Sequence, residues 1–434
     1  MQERHCKLHD PRPPIPVHTF EFCMNAIKQV FAKHLTEIVL LLGCVAVFLI
    51  TAFFFNDAYI ARFDYNAKQI IRQASMLGLF AIGAGIVIIS GGIDLSSGSM
   101  IAFGGSICCM IIFVLAKTVA PDADDPTESV AAWITITAIV ATIGVGLLVG
   151  AFHTWLITVI GLPPFVATLA SLVGLRSLAR IMNQAVSASL GQRATKINIQ
   201  DQAFGTLGSE WWIPLAVFLA VAFLAWLLMS KTVLGRHLYA MGGNEDAAKL
   251  SGIRTGRLKW IAYCIGAVTA AIAGILYSSE VGSSDPQTQG VGYELFAIAA
   301  AVVGGCSLQG GIGRVSGIVL GALFLRVVID AIGKVMRSGS DDYQGLIVGL
   351  LVVLAVAFNQ LSGQQSGWKK QFFPGALGWI TIPILTALVT AVFTAANILS
   401  PDGKPFIGVA AGLLTLCVLT TLKLAVDFAG KEKA

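Results

Sequence analysis

The chain has 434 residues, of which 56% are hydrophobic and only 12% charged, with a net charge of +5. Its mean hydropathy is +0.79. A water-soluble chain carries about 25% charged residues, so half that share excludes soluble multidomain enzymes and disordered proteins alike and points to many membrane-spanning helices. The small, dispersed positive charge gives no reason to expect nucleic acid as a partner.

Residues 1–35 read as a polar N-terminal tail with Pro11, Pro13, Pro14 and Pro16. Arg4, Lys7, Arg12, Lys28 and Lys33 lie in it. No cleavable signal peptide is expected, because the first apolar run starts only near Thr36 and is long enough to remain as an anchor. Spans need about 20 apolar residues, and apolar runs are found near 36–55, 70–90, 98–118, 131–157, 165–183, 212–229, 260–279, 295–306, 315–334, 344–361, 377–399 and 407–429. The fold class expected is an all-α polytopic membrane protein, with about ten core helices in 36–361 and an extra helical hairpin within 362–434. With the N-terminus inside, sixteen Lys/Arg fall in inside segments and nine in outside segments. That bias favours both termini on the cytoplasmic side and places Asp122, Asp124, Asp125 and Glu128 outside.

Most of the eight cysteines, Cys44, Cys108, Cys109 and Cys264 among them, sit in apolar segments and read as small buried hydrophobes. Two charge pairs inside spans, Arg326 with Asp330 and Lys423 with Asp427, are four residues apart and suited to mutual neutralisation. Arg176 and Arg180 have the same spacing but like charge, so each needs its own partner or a wet cavity. Gly146/Gly150, Gly313/Gly317/Gly321 and Gly345/Gly349 form small-residue stripes that allow close helix packing.

Three glycine-rich breaks carry the functional information. The first is Ser90-Gly91-Gly92-Ile93-Asp94-Leu95-Ser96-Ser97-Gly98-Ser99. It ends one helix and caps the next, as either an ordinary tight turn or one lining a passage. The second runs Gly304-Gly305-Cys306-Ser307-Leu308-Gln309-Gly310-Gly311-Ile312-Gly313, and its Gly-Gly-x-x-Leu start echoes Gly91–Leu95, a hint of internal duplication. Neither is a nucleotide loop, since Gly-Lys-Ser/Thr occurs nowhere in the chain. The third, Leu234–Ile253, occupies the most basic loop. There Asn244 is a natural N-cap, Glu245 and Asp246 complement the helix dipole, Lys249 lies toward the C-terminal end, Gly252 suits a left-handed C-cap and Gly242-Gly243 supply a bend. A helix of two turns is marginal alone, so it is expected to dock on something.

The stretch Gly235-Arg236-x-x-Tyr239-Ala240-x-Gly242-Gly243-Asn244-x-x-Ala247-Ala248-x-x-Ser251-Gly252-Ile253 resembles the coupling segment of permease subunits of bacterial ABC importers of the ribose/xylose/galactose type. The turn Gly91–Ser99, the segment Pro164–Leu169 and the stretch Gly304–Gly313 are similar to other motifs of that family. The resemblance covers about residues 36–361. It implies two permease copies, or one copy and a related permease, pairing in the bilayer around a path; a cytoplasmic ABC ATPase carrying ATP and Mg; and a periplasmic or extracellular solute-binding protein. It also implies no ATPase site or cofactor in this chain, alternating access, and location in the cytoplasmic membrane. Carried over by motif, Gly242, Gly243, Asn244, Glu245, Asp246, Ala247, Ala248, Leu250, Ser251 and Gly252 form the ATPase-coupling segment, and Gly92, Asp94, Ser96, Ser97 and Gly305 lie near the path. The long tail, the enlarged loop at 119–130 and the hairpin at 377–429, with Ser400–Pro405 as its turn, depart from the family pattern. Alternatives are a permease for nucleosides or branched-chain amino acids, and an ion-coupled transporter, for which Asp94 is the one candidate intramembrane carboxylate.

Overall fold

The computed structural model describes residues 35–54, 62–122, 125–188 and 194–335, most of 344–350, and scattered positions from 353 to 420. The chain divides into two units, 1–359 and 360–434. Most of the expected C-terminal hairpin, the Lys423/Asp427 pair and most of the expected span at 344–361 lie outside the described residues.

Among the described residues, eight helices are long and apolar enough to cross a membrane. These are α1 (Leu35–Phe54), α2 (Phe63–Ile89), α3 (Ser97–Val119), α4 (Ala132–Thr158), α5 (Pro164–Ala188), α7 (Trp212–Lys231), α10 (Thr255–Val281) and α12 (Val315–Val335). A shorter apolar helix, α11 (Tyr293–Val303), reaches only part of the way. Three small helices are also described: α6 (Gln202–Ser209), α8 (Val233–Gly243) and α9 (Glu245–Leu250). The only sheet among the described residues is the two-residue antiparallel pair β1 (Ile197–Asn198) and β2 (Ser283–Ser284). The chain is thus an all-α, multi-pass membrane protein.

The spans follow the apolar runs closely, but α2 and α10 start seven and five residues before the hydrophobic segments at 70 and 260. In α2 the extra turns are polar and held by charge: Lys68 pairs with Asp64 at 2.7 Å and Arg72 with Glu280 at 2.7 Å. Helix propagation needs only hydrogen-bond partners and not apolarity, so a span outruns its hydrophobic signal wherever its ends reach water.

Helices α2, α3 and α10 form the centre, and α1, α4, α5 and α7 form the periphery, with apolar outer faces such as Leu49, Phe53, Val140, Leu148, Val173 and Phe223. Small residues bring the central helices together. Gly146 and Gly150 of α4 lie on the α10 backbone around Cys264 and Val268, and Gly317 and Gly321 of α12 lie on α11 at Gly304 and Ala300. Contact of this kind replaces the hydrophobic drive that lipid cannot supply. Among the described residues, a β-carbon on Gly345 or Gly349 would meet nothing within 4 Å.

Asp201 caps α6, its Oδ2 accepting from the Phe204 amide at 2.8 Å, and its Oδ1 accepts from Val130 at 3.1 Å. The enlarged loop at 125–130, β1, β2 and α6 thereby make a small polar cap over the end of the bundle where α10 finishes. The other end carries α8 and α9.

Candidate functional site

At the α8–α9 end, sequence and structure agree on local design. The Asn244 side chain accepts from the Ala247 amide at 2.9 Å, and Gly252 is left-handed with φ +81°. Glu245 pairs with Lys249 at 3.1 Å and with Lys259 of α10 at 2.8 Å. Burial by itself raises the carboxyl pKa, but the two ammonium groups outweigh it and hold Glu245 below the ordinary glutamate value. The structure differs on the bend. Gly242 and Gly243 end α8 as helical residues, and the chain turns at Asn244, with φ −159° and ψ 104°. Gly242 is required for closeness: a β-carbon there would drive into the Ile89 carbonyl and lie 2.7 Å from the Gly311 amide nitrogen.

That closeness joins all three glycine-rich breaks. A β-carbon on Gly310 would lie 2.8 Å from the Gly91 Cα and 2.6 Å from the Gly242 carbonyl oxygen. The Gly311 amide donates to the Ile89 carbonyl at 2.9 Å, and the Tyr239 hydroxyl donates to the Gly313 carbonyl at 2.8 Å. Backbone rests on backbone, with no side chain between.

The first two breaks have the same construction. At the end of α2, Gly91 (φ +85°) donates to Ile88 and Gly92 to Val87; at the end of α11, Gly305 (φ +91°) donates to Val302 and Cys306 to Ala301. Both are Schellman closures, which need a left-handed residue and hence glycine. The structural match pairs Gly91 with Gly305 and Gly92 with Cys306, one residue out of register from the Gly-Gly-x-x-Leu echo. The sequence aligns on the first glycine of each doublet, whereas the backbone aligns on the left-handed one.

Of the coupling-segment residues, Gly242 and Ala248 face the body and are buried. Gly243, Asn244, Asp246, Ala247, Ser251, Gly252 and above all Leu250, 91% exposed, face outward. An exposed leucine on a helix pinned from behind is a ready apolar knob for a partner.

The residues assigned to the neighbourhood of a path are enclosed within this chain. Gly92 lies on Val87 and the Tyr263 ring. Asp94 is buried, its Oδ1 accepting from the Ser96 amide at 2.8 Å and the Ser96 hydroxyl at 2.6 Å, while its charge acts on Tyr263 and His153. Those two rings meet edge to face, with centroids 6.3 Å apart. Ser97 is buried, and Gly305 lies 3.5 Å from the Thr36 side chain, measured from a β-carbon position.

After Asp94 the chain runs back into the bundle, so α3 starts deep inside. There it meets the N-terminus of α11, where Gly98 lies against the Gly290 carbonyl and the Glu294 carboxylate. The segment before α11 is anchored by Arg176, whose guanidinium donates to the carbonyls of Pro286, Gln289 and Gly290, each at 2.9 Å. Arg176 thus has a partner of its own, as required beside Arg180. Two helix beginnings facing each other deep in a bundle is the arrangement of discontinuous membrane helices around solute sites. Periodicity could not reveal it, because the non-helical segments 92–96 and 283–292 contain no helical pattern. The expected pairing of Arg326 with Asp330 is not what the structure holds: Asp330 is joined to Lys334, one turn later, at 2.7 Å. A residue four away in either direction satisfies the same spacing rule, so spacing could not choose between the two neighbours.

A family model described as branched-chain amino acid transport system / permease component matches residues 66–356. The chain is 32% identical to the ribose import permease protein RbsC of Escherichia coli (strain K12) over 299 residues, which is 67% of this chain and 84% of that protein. It is 34% identical to the L-arabinose transport system permease protein AraH of Escherichia coli (strain K12) over 299 residues, 68% of this chain and 82% of that protein. With the xylose transport system permease protein XylH of the same strain it shares 28% over 389 residues, 77% of this chain and 94% of that protein. No solved structure matches the chain.

Proposed function

The chain belongs to the permease family that the model describes as the branched-chain amino acid transport system / permease component, and from that premise we propose how it works as the membrane permease of an ATP-driven importer of a monosaccharide. The sugar class is supported by the ribose, arabinose and xylose permeases among its relatives, which are preferred here over the nucleoside and amino-acid alternatives.

A cytoplasmic ATPase binds the outward face of α9, with Leu250 as anchor and Asn244, Asp246 and Ala247 around it. The observation that carries this reading is an exposed apolar knob on a capped helix that is tied to α10 by the Glu245–Lys259 pair and continues from α8, whose Gly242 packs on the backbone of Ile89 and Gly311. ATP and Mg stay on that partner, and a solute-binding protein delivers sugar at the opposite end. Nucleotide-driven closure of the ATPase pair displaces α8–α9 and biases the bundle between two arrangements. Two permease copies, or one copy and a related permease, complete the passage. The chain sits in the cytoplasmic membrane with α8–α9 on the cytoplasmic side.

The test is co-expression with the ATPase and mild-detergent purification. Leu250→Asp and Ala247→Arg are expected to remove the ATPase from the purified permease while leaving the permease folded; retention of the ATPase by both variants would sink the docking surface. Sugar uptake into vesicles that proceeds without ATP would sink the energy source.

A further inference from the structure

A cavity of about 380 Å³ lies between α2, α10, α11 and α12. Its size falls in the range of small-ligand pockets, about 300–1,000 Å³. It sits beside the start of α11, deep in the bundle, and combines two kinds of wall. One wall is aromatic. The rings of Phe80 and Tyr293 lie nearly parallel with centroids 5.9 Å apart, Tyr277 and Tyr293 are 5.3 Å apart, and Phe296 continues the cluster at 5.9 Å. The other wall is polar and carries Gln73, Arg326 and, from the segment beyond α12, Gln344.

Arg326 is the informative residue. It stands halfway along a membrane-spanning helix, and its Nε is buried without a hydrogen-bond partner. Charge inside a span is costly and is retained where it meets a partner or a cavity. The nearby carboxylates are already engaged. Asp330 is paired with Lys334, and Glu280 accepts from Gln73 at 2.7 Å and pairs with Arg72 at 2.7 Å. Arg326 acts on Glu280 and Tyr277 through charge, without displacing Arg72. A guanidinium whose Nε is unspent, an amide and a set of aromatic faces make one chemical demand. They suit a neutral ligand with hydroxyl acceptors on its rim and C–H bonds on its faces.

Building on the monosaccharide reading above, we propose that this cavity is a transit site for the sugar inside the permease, with Arg326 and Gln73 binding hydroxyls and Tyr277 and Tyr293 meeting the ring face. The site lies within one chain, so each permease copy holds its own.

The experiment uses the full importer, with its ATPase and binding protein, in proteoliposomes, and measures uptake of labelled D-ribose, L-arabinose and D-xylose. Arg326→Gln is expected to lower uptake of the carried sugar at least tenfold while the ATPase still co-purifies. Gln73→Asn and Tyr293→Phe are expected to shift the ratio of uptake among the three sugars at least fivefold, a change that impaired folding does not produce. Where Arg326→Gln fails to assemble, Arg326→Lys and the two selectivity variants decide. Unchanged uptake ratios and unchanged rates in a wild-type complex that carries one of the sugars overturn the site and leave the importer reading intact. A wild-type complex that carries none of the three overturns both.

Discussion

Glu245 shows how one side chain can tie a marginal helix to its support. Its two cationic partners, Lys249 on its own helix and Lys259 on α10, hold its pKa below the ordinary value of about 4.3 against the opposing effect of burial. A carboxylate held low in the folded state stabilises that state above its unfolded pKa, and the contribution fades as pH falls toward the lowered folded value. Amide exchange in Ala247–Leu250, corrected for intrinsic rates, is therefore expected to quicken as pH falls from neutral through the carboxylate range. Glu245→Gln should exchange faster at neutral pH and lose most of that dependence. Mass-spectrometric exchange checks it, and equal profiles for the two proteins would refute the anchoring role. The cap, the acidic first turn and the left-handed Gly252 were all readable as residue types. The Lys259 partner was not, because it stands on the next helix, with nine residues that include a turn between it and Lys249.

At the scale of elements, α8 and α9 act as one body held by close approach. Gly242 and Gly243 are adjacent in sequence and opposite in demand: a β-carbon on Gly242 meets backbone, whereas one on Gly243 meets nothing within 4 Å. Gly242→Ala is expected to cost about 1–3 kcal/mol, the usual range for overpacking, and to weaken ATPase association. Gly243→Ala is expected to change stability by well under that amount. Thermal unfolding in detergent and co-purification measure both, and equal behaviour of the two variants would contradict the packing. From sequence both glycines read as a bend, because a Gly-Gly doublet signals freedom of φ and cannot signal lack of room. The spans were legible for the opposite reason: a run of about 20 apolar residues has one physical meaning in a polytopic chain. The non-helical segments 92–96 and 283–292 were not, and with them went the depth at which α3 and α11 begin.

For the whole molecule, the proposed orientation predicts a one-sided labelling pattern. Leu250→Cys, at a position 91% exposed, should react with a membrane-impermeant thiol reagent in inverted vesicles and not in right-side-out vesicles. Cys108, Cys109, Cys264 and Cys306 are buried and should stay silent in both. Reaction from the opposite side would reverse the proposed topology and remove α9 from a cytoplasmic partner. The cavity around Arg326 belongs to this scale too. Its walls come from residues as far apart as Gln73 and Gln344, so no local pattern announces it. The one trace in the sequence is an arginine in a span, and spacing gave that residue a neighbour it does not use.

The contact of Gly242 with Ile89, Gly310 and Gly311 has a mechanical consequence. Side chains can rotate and absorb a displacement of an ångström, but carbonyls and Cα atoms pressed together have no such slack. A thrust on α8 therefore arrives undiminished, and it arrives at two addresses at once: the last turn of α2 and the loop that leads into α12. These strands of the chain flank the two matching closures, so the load is split between corresponding places in the fold. A permease with a larger residue at position 242 would hold its motor less tightly and would feel it less.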